Sequence, residues 1–145
     1  MFHILFLCTH NRCRSILCEV IANHLAEGVI RASSAGSEPA GAVHPMTLQH
    51  LERRGYPTLG VRSKSMEEFS EDLPDLMVTV CDSAAAEACP VGLSGVSRLH
   101  WPLTDPSRLT DPSAQEAAFD EAIERIEQQV AEWQGLARLS SSNSA

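Results

Sequence analysis

The sequence has little basic charge to set against its acid: 11 Lys and Arg face 19 Asp and Glu, a net charge of −8 over 145 residues. That balance argues against general binding to nucleic acid or anionic membranes. No apolar run approaches the ~18 residues that a membrane helix needs. Met1-Phe2-His3-Ile4-Leu5-Phe6-Leu7 carries neither the basic n-region nor the small-residue cleavage site of a secretory signal, so a cytoplasmic protein is expected. No internal repeat and no Pro/Gly/Ser-rich linker breaks the chain. One domain over 1–139 is the simplest organisation, with Ser140-Ser141-Ser142-Asn143-Ser144-Ala145 as a polar, disordered tail. Zinc-type Cys-x2-Cys spacing is also missing: Cys8, Cys13 and Cys18 stand five apart, and Cys18 falls within an amphipathic pattern, so no metal site is assigned.

What is present is 43% apolar residues, too many for a disordered chain, and five cysteines, an odd number that cannot all pair. In a reducing compartment thiols serve chemistry more often than stapling. Phe2–Leu7 is a nearly unbroken apolar run ending at Cys8, the pattern of a strand covered on both faces. From Ser15, the residues Ile16, Leu17, Val20, Ile21 and Leu25 form a helical stripe that ends near Gly28. Val29–Ala35 reads as a second strand closed by Gly36. A second helix opens at Pro45, with Leu48 and Leu51 on one face and Gly55 beyond its end. Ser65–Phe69 reads as a helical turn, Leu76–Val80 as a buried strand ending at Cys81, Ala84–Ala88 as a short helix, and Val96–Trp101 as a fourth strand. Ser113-x-x-Glu116 has the form of a capping box before the last helix, in which Phe119, Ile123, Ile126, Val130 and Trp133 recur at 4-3-4-3 spacing. Alternating strands and helices imply a parallel α/β sheet, whose ligands bind beyond the carboxyl ends of the strands. Two strands end in Cys at that edge.

Cys8-Thr9-His10-Asn11-Arg12-Cys13-Arg14-Ser15 joins the first strand to a helix start. A helix N-terminus, the Arg14 charge and a hydrogen bond from Ser15 all favour a thiolate at Cys8. Such surroundings bring a thiol from about 8.5 into the ~3.5–7.5 range. The amides of Thr9 to Ser15 and the guanidinium fork of Arg14 also suit a tetrahedral oxyanion such as phosphate or arsenate. Cys-x5-Arg alone is a common accident; the strand before it and Ser15 with the helix after it favour a nucleophile over a packed thiol. Cys13 and Cys18 read as packed thiols of the helix face.

Cys81 and Cys89 form the second concentration of signal. Neighbouring strands lie about 4.8 Å apart, within reach of a Cys8–Cys81 disulfide. Cys81 and Cys89 are eight residues apart, so a helix between them separates their Cα atoms by about 12 Å, and pairing them requires that helix to unwind. Taken alone, the two read equally well as small buried hydrophobes. Beside a reactive Cys8 they read as a relay of three thiols.

These motifs closely resemble the thioredoxin-coupled arsenate reductases, which share the low-molecular-weight protein tyrosine phosphatase fold. The resemblance runs over Phe6–Ser15, Ser34-Ala-Gly36, Val78-Thr-Val-Cys-Asp82, Cys89-Pro90 and His100-Trp-Pro-Leu-Thr-Asp-Pro106. It implies a single-domain three-layer α/β sandwich with a four-stranded parallel sheet in the order 2-1-3-4. It implies that Cys8 attacks arsenate held by the loop amides and Arg14 while Asp105 protonates the departing oxygen. Cys81 then attacks Cys8, and Cys89 attacks Cys81, leaving a Cys81–Cys89 disulfide for thioredoxin to reduce. No bound cofactor is implied; phosphate and sulfate are implied as competing oxyanions. Some relatives hold a potassium ion for which Asn11, Glu19 and Ser34 match three ligands, but the carboxylate expected near Ser65 or Met66 is not evident and no ion is assigned. His10 and Arg12 stand where a glycine and a small polar residue are usual, and add positive charge beside the anion.

Two other functions stay open at this point. A small phosphatase explains the loop and Asp105 but leaves Cys81 and Cys89 to packing, and prefers an aromatic wall where this chain has Ser107 and Arg108. A non-catalytic oxyanion-binding module explains Arg14 but not a nucleophile paired with an acid. Asp111-Pro112 repeats the Asp105-Pro106 pair, and only the Trp101-x3-Asp105 context selects Asp105 as the acid.

Overall fold

Phe2–Cys8 forms β1, and its unbroken apolar run has a direct cause: every side chain from His3 to Cys8 is buried, on both faces of the sheet. Phe6 meets Trp133, with ring centroids 5.5 Å apart, and His3, on the opposite face by strand alternation, meets Phe69 at 6.2 Å. The computed structural model describes residues 1–69, 71–80 and 96–143. Within them the order continues with α1 (Arg14–Leu25), β2 (Ile30–Gly36), α2 (Pro45–Arg53), a 3-10 turn (Met66–Phe69), β3 (Leu76–Thr79), β4 (Ser97–His100), a second 3-10 turn (Pro106–Arg108) and α3 (Pro112–Asn143). Cys81, Cys89 and the helix expected over Ala84–Ala88 lie outside the described residues.

The four strands are all parallel, as their alternation with helices predicts, and lie in the order β2-β1-β3-β4 that the family resemblance implies. Register places Cys8 beside Gly36 and Leu7 beside Thr79, so the carboxyl ends of the strands form one edge. The Val80 amide still donates to the Leu7 carbonyl at 3.0 Å, carrying β3's pairing to the residue before Cys81.

Two helix boundaries differ from expectation. α3 starts one residue before the capping box: Pro112 takes the first helical position, and Asp111 caps the helix by accepting from the Ala114 amide at 2.9 Å. Glu116 therefore does not cap; it pairs with Arg53 of α2 at 3.0 Å. At the other end α3 runs to Asn143, so the backbone of Ser140–Asn143 is helical where a disordered tail is expected. Extending an existing helix requires no new nucleus, which lets polar serines follow on.

α2 turns Thr47, His50 and Leu51 to the core, two of them polar, while Leu48 is only half-buried. The His50 ring is 2% exposed and stacks on Phe119 at 4.3 Å, with Nε2 lacking a hydrogen-bond partner among the described residues. Burial, with Arg53 beside it, holds the His50 pKa below 6.5, and burial with Arg31 does the same to His3. Below pH 6.5 the unfolded chain therefore binds more protons than the folded one, and stability falls with falling pH. Urea unfolding is expected to show a lower midpoint at about pH 5.5 than at about pH 7.5, and His50→Phe to lose less across that interval. Equal losses in the two proteins would place the acid sensitivity elsewhere.

Candidate active site

Cys8 ends β1 and α1 begins at Arg14, so residues 9–13 must turn through a short arc above the sheet edge. The turn is made at Asn11, whose φ of 49° is the only positive value among the described non-glycine residues. Asn tolerates this left-handed conformation better than most side chains. His10 is thus accommodated where a glycine is usual, because the left-handed residue is the next one. Asn11 is fully buried; its Nδ2 donates to Ser15 Oγ and its Oδ1 accepts from the Lys64 amide, both at 2.8 Å.

The loop's carbonyls are engaged from outside. Thr9 O accepts from the Glu38 amide at 2.8 Å, His10 O from the Ala40 amide at 2.9 Å, and Arg12 O from the His44 amide at 2.9 Å. Cys13 O accepts from Leu17 within α1's first turn. Every described peptide bond is trans, so the amide following each carbonyl points the opposite way, toward the inside of the arc. Gly36 of β2 makes this packing possible: a Cβ there would come within 2.7 Å of Thr9 O. Ser34-Ala-Gly36 is one of the motifs of the resemblance, but its close approach to Thr9 is set by the fold and not by any local spacing.

Inside the arc lies a pocket of about 230 Å³, lined by Cys8 to Arg14 except Asn11, and by Asp105 and Arg108. It falls below the ~300–1,000 Å³ of drug-sized sites, a size for a small ion. Cys8 is 5% exposed at its base. Arg14 Nη1 donates to Leu103 O at 3.1 Å and Nη2 lies 3.7 Å from Asp105 Oδ2, so the guanidinium is braced at the wall. Asp105 opens the second 3-10 turn; its Oδ1 accepts from the Ser107 amide at 3.0 Å and the Ser107 hydroxyl at 2.6 Å, and Oδ2 lies 3.5 Å from Arg108 Nε. Residues almost a hundred positions apart thus converge on one cavity. The parts played by Leu103 and Ser107 are not legible in the sequence, since each acts through Arg14 or Asp105, and Arg108 reaches the pocket wall from a turn that carries no motif of its own.

The three described thiols are not equivalent. Burial pushes the Cys13 thiol up to about 12 and the Cys18 thiol higher still, so both are protonated and inert at neutral pH. Cys13 lines the pocket yet cannot serve as its nucleophile. Among the described residues no cluster of three or more His, Cys, Asp and Glu side chains could hold a metal ion, and no helix is long and apolar enough to cross a membrane.

The low molecular weight phosphotyrosine protein phosphatase family matches residues 3–144. The arsenate reductase of Bacillus subtilis is 31% identical over 120 residues, covering 83% of this chain and 85% of that protein. The glutaredoxin arsenate reductase of Synechocystis sp. is 30% identical over 106 residues, 73% of this chain and 79% of that one. Among solved structures, the thioredoxin-dependent arsenate reductase of Corynebacterium glutamicum superposes with a TM-score of 0.73 at 27% identity, covering 97% of this chain and 63% of that chain, which is therefore the longer of the two. An arsenate reductase in its phosphate-binding state also superposes at 0.73, with 27% identity and coverage of 91% and 98%.

Proposed function

The chain belongs to the low molecular weight phosphotyrosine protein phosphatase family, and from that membership we propose that it reduces arsenate to arsenite by a relay through Cys8, Cys81 and Cys89. The carrying observation is the pocket wall. Arg12, Arg14 and Arg108 line it, and no Phe, Tyr or Trp stands among its described lining residues. Such a wall suits a small inorganic oxyanion and offers no face to an aryl phosphate. Relatives named arsenate reductase support the choice of substrate. Phosphate and sulfate, equally tetrahedral, compete for the same amides.

In the first step the Cys8 thiolate attacks arsenic, the amides of Thr9 to Ser15 and Arg14 hold the oxyanion, and Asp105 gives a proton to the oxygen that leaves as water. The Cys81 thiolate next attacks the Cys8 sulfur. The sulfur–arsenic bond breaks with its electron pair on arsenic, which leaves as arsenite, and a Cys8–Cys81 disulfide remains. Cys89 attacks Cys81, Cys8 departs as thiolate, and the oxidising equivalents rest on Cys81–Cys89. Two thiols thus supply the two electrons, and a dithiol protein restores them. Thioredoxin is the proposed donor, acting in the cytoplasm; no resident cofactor takes part. The Synechocystis relative's name favours glutaredoxin as the second reading, and parallel turnover assays with each donor decide between them.

Reduced protein given arsenate without reductant is expected to lose two of its five thiols, with peptide mapping locating a Cys81–Cys89 disulfide. Retention of all five thiols alongside brisk p-nitrophenyl phosphate hydrolysis would instead establish the phosphatase reading.

A further inference from the structure

The oxygens that the family resemblance associates with a cation beside the loop are already taken in this chain. The Lys64 ammonium lies 3.2 Å from Glu19 Oε1, 3.4 Å from Ser34 Oγ and 3.1 Å from the Arg62 carbonyl. An ammonium has three hydrogens to donate, and these are three acceptors. The pair is nearly buried, with side chains 10% and 13% exposed for Lys64 and Glu19, and Ser34 is fully buried and itself donates to Glu19 Oε1 at 3.1 Å. One carboxylate, one hydroxyl and one carbonyl are also the kind of oxygen donors that a partly dehydrated monovalent cation takes. Such an ion does not fit while the ammonium is there. We propose that Lys64 is a tethered monovalent cation, and that it positions the oxyanion loop through Asn11.

The connection to the loop runs through the lysine's own backbone. Its amide donates to Asn11 Oδ1 at 2.8 Å, and its carbonyl accepts from the Gly36 amide at 2.9 Å. Residue 64 therefore grips α1 and β2 with its side chain, and with its backbone grips the one loop residue that adopts a left-handed conformation. Removing the charge takes from the Glu19 carboxylate its one ion-pair partner among the described residues, in a nearly closed site, leaving only the more distant Arg62. Segment 62–65 then loses its anchor, and Asn11 loses the donor that holds its side chain. Lys64 lines no part of the pocket, so its effect on an anion passes through Asn11 and makes it a positioning residue.

The coupling to anion affinity rests on the oxyanion reading above; the cation replacement does not, and the two are tested separately. The first measurement is the urea midpoint of the full chain in potassium chloride and in choline chloride, whose cation is too large to enter. Wild type is expected to have the same midpoint in both salts. Lys64→Ala should unfold earlier in choline and be restored by potassium, whereas Lys64→Met, which fills the space without charge, should be weakened equally in both. Adding Glu19→Gln to Lys64→Met should recover part of the loss, because no carboxylate is then left unpaired. A Lys64→Ala midpoint indifferent to potassium, or a wild type that responds as strongly, overturns the proposal. If Lys64→Ala folds in neither salt, the Glu19→Gln comparison decides alone, and no recovery overturns it.

The second measurement is calorimetric titration with phosphate. Lys64→Ala is expected to bind about tenfold more weakly in choline and to regain affinity in potassium. Unchanged affinity refutes the positioning role. A wild type that binds no phosphate counts against the oxyanion reading and leaves the salt comparison to judge the cation.

Discussion

Cys8→Ser is expected to lower arsenate reduction by about four orders of magnitude or more, to background, while leaving the fold and phosphate binding in place. The alcohol is not ionised at neutral pH and has no sulfur on which to form a disulfide, so both the attack and the path for electrons are lost. The pocket itself does not depend on the thiol. Its arc is held by carbonyls bonded to Glu38, Ala40 and His44, by Asn11 between Ser15 and Lys64, and by Arg14 braced on Leu103. Cys13→Ser provides the contrast. That thiol lines the same cavity, but burial pushes it up to about 12, so its loss should change turnover only a few-fold. Arsenite release in steady state and phosphate titration of both variants measure the difference. Equal losses for the two variants would remove Cys8 from its assigned role.

The strands and the loop were legible because each rests on local pattern. An unbroken apolar run from Phe2 to Leu7 has few outcomes other than a doubly covered strand, and Cys-x5-Arg-Ser ahead of an amphipathic stripe marks a strand–loop–helix turn. The boundary of α3 differs because Asp111-Pro112 and Ser113-x-x-Glu116 offer competing caps two residues apart. The proline at the first helical position favours the earlier one. His50 at a core position was not readable, since only the meeting of α2 with α3 sets its ring on Phe119. Lys64 was beyond reach for the same reason: its partners are 2, 28, 30, 45 and 53 residues away, and no spacing rule links them. What the loop binds is written locally; what keeps the loop in shape is assembled from the whole chain.

That division bears on how the enzyme is recharged, and it gives Cys89→Ser two different outcomes with two reductants. The first half-reaction should proceed: arsenate consumes two thiols, arsenite leaves, and a Cys8–Cys81 disulfide is trapped. Cys8 is only 5% exposed, at the base of a pocket of about 230 Å³ walled by Arg12, Arg14 and Arg108. Reduction requires a thiolate to approach the disulfide in line with its sulfur–sulfur bond, and a folded protein such as thioredoxin cannot bring its cysteine into so small a cavity. A small dithiol can. Turnover of Cys89→Ser with thioredoxin is therefore expected to stop after one arsenite per enzyme, while dithiothreitol sustains slow continuous turnover. Cys81→Ser should fail with thioredoxin, because nothing within the protein then displaces arsenic from Cys8, and any turnover left with dithiothreitol is attack of the small dithiol on the Cys8 sulfur itself. The decisive reading is the thioredoxin assay: if Cys89→Ser turns over with thioredoxin as wild type does, Cys89 has no part in carrying oxidising equivalents to the surface. The relay would then end at Cys81.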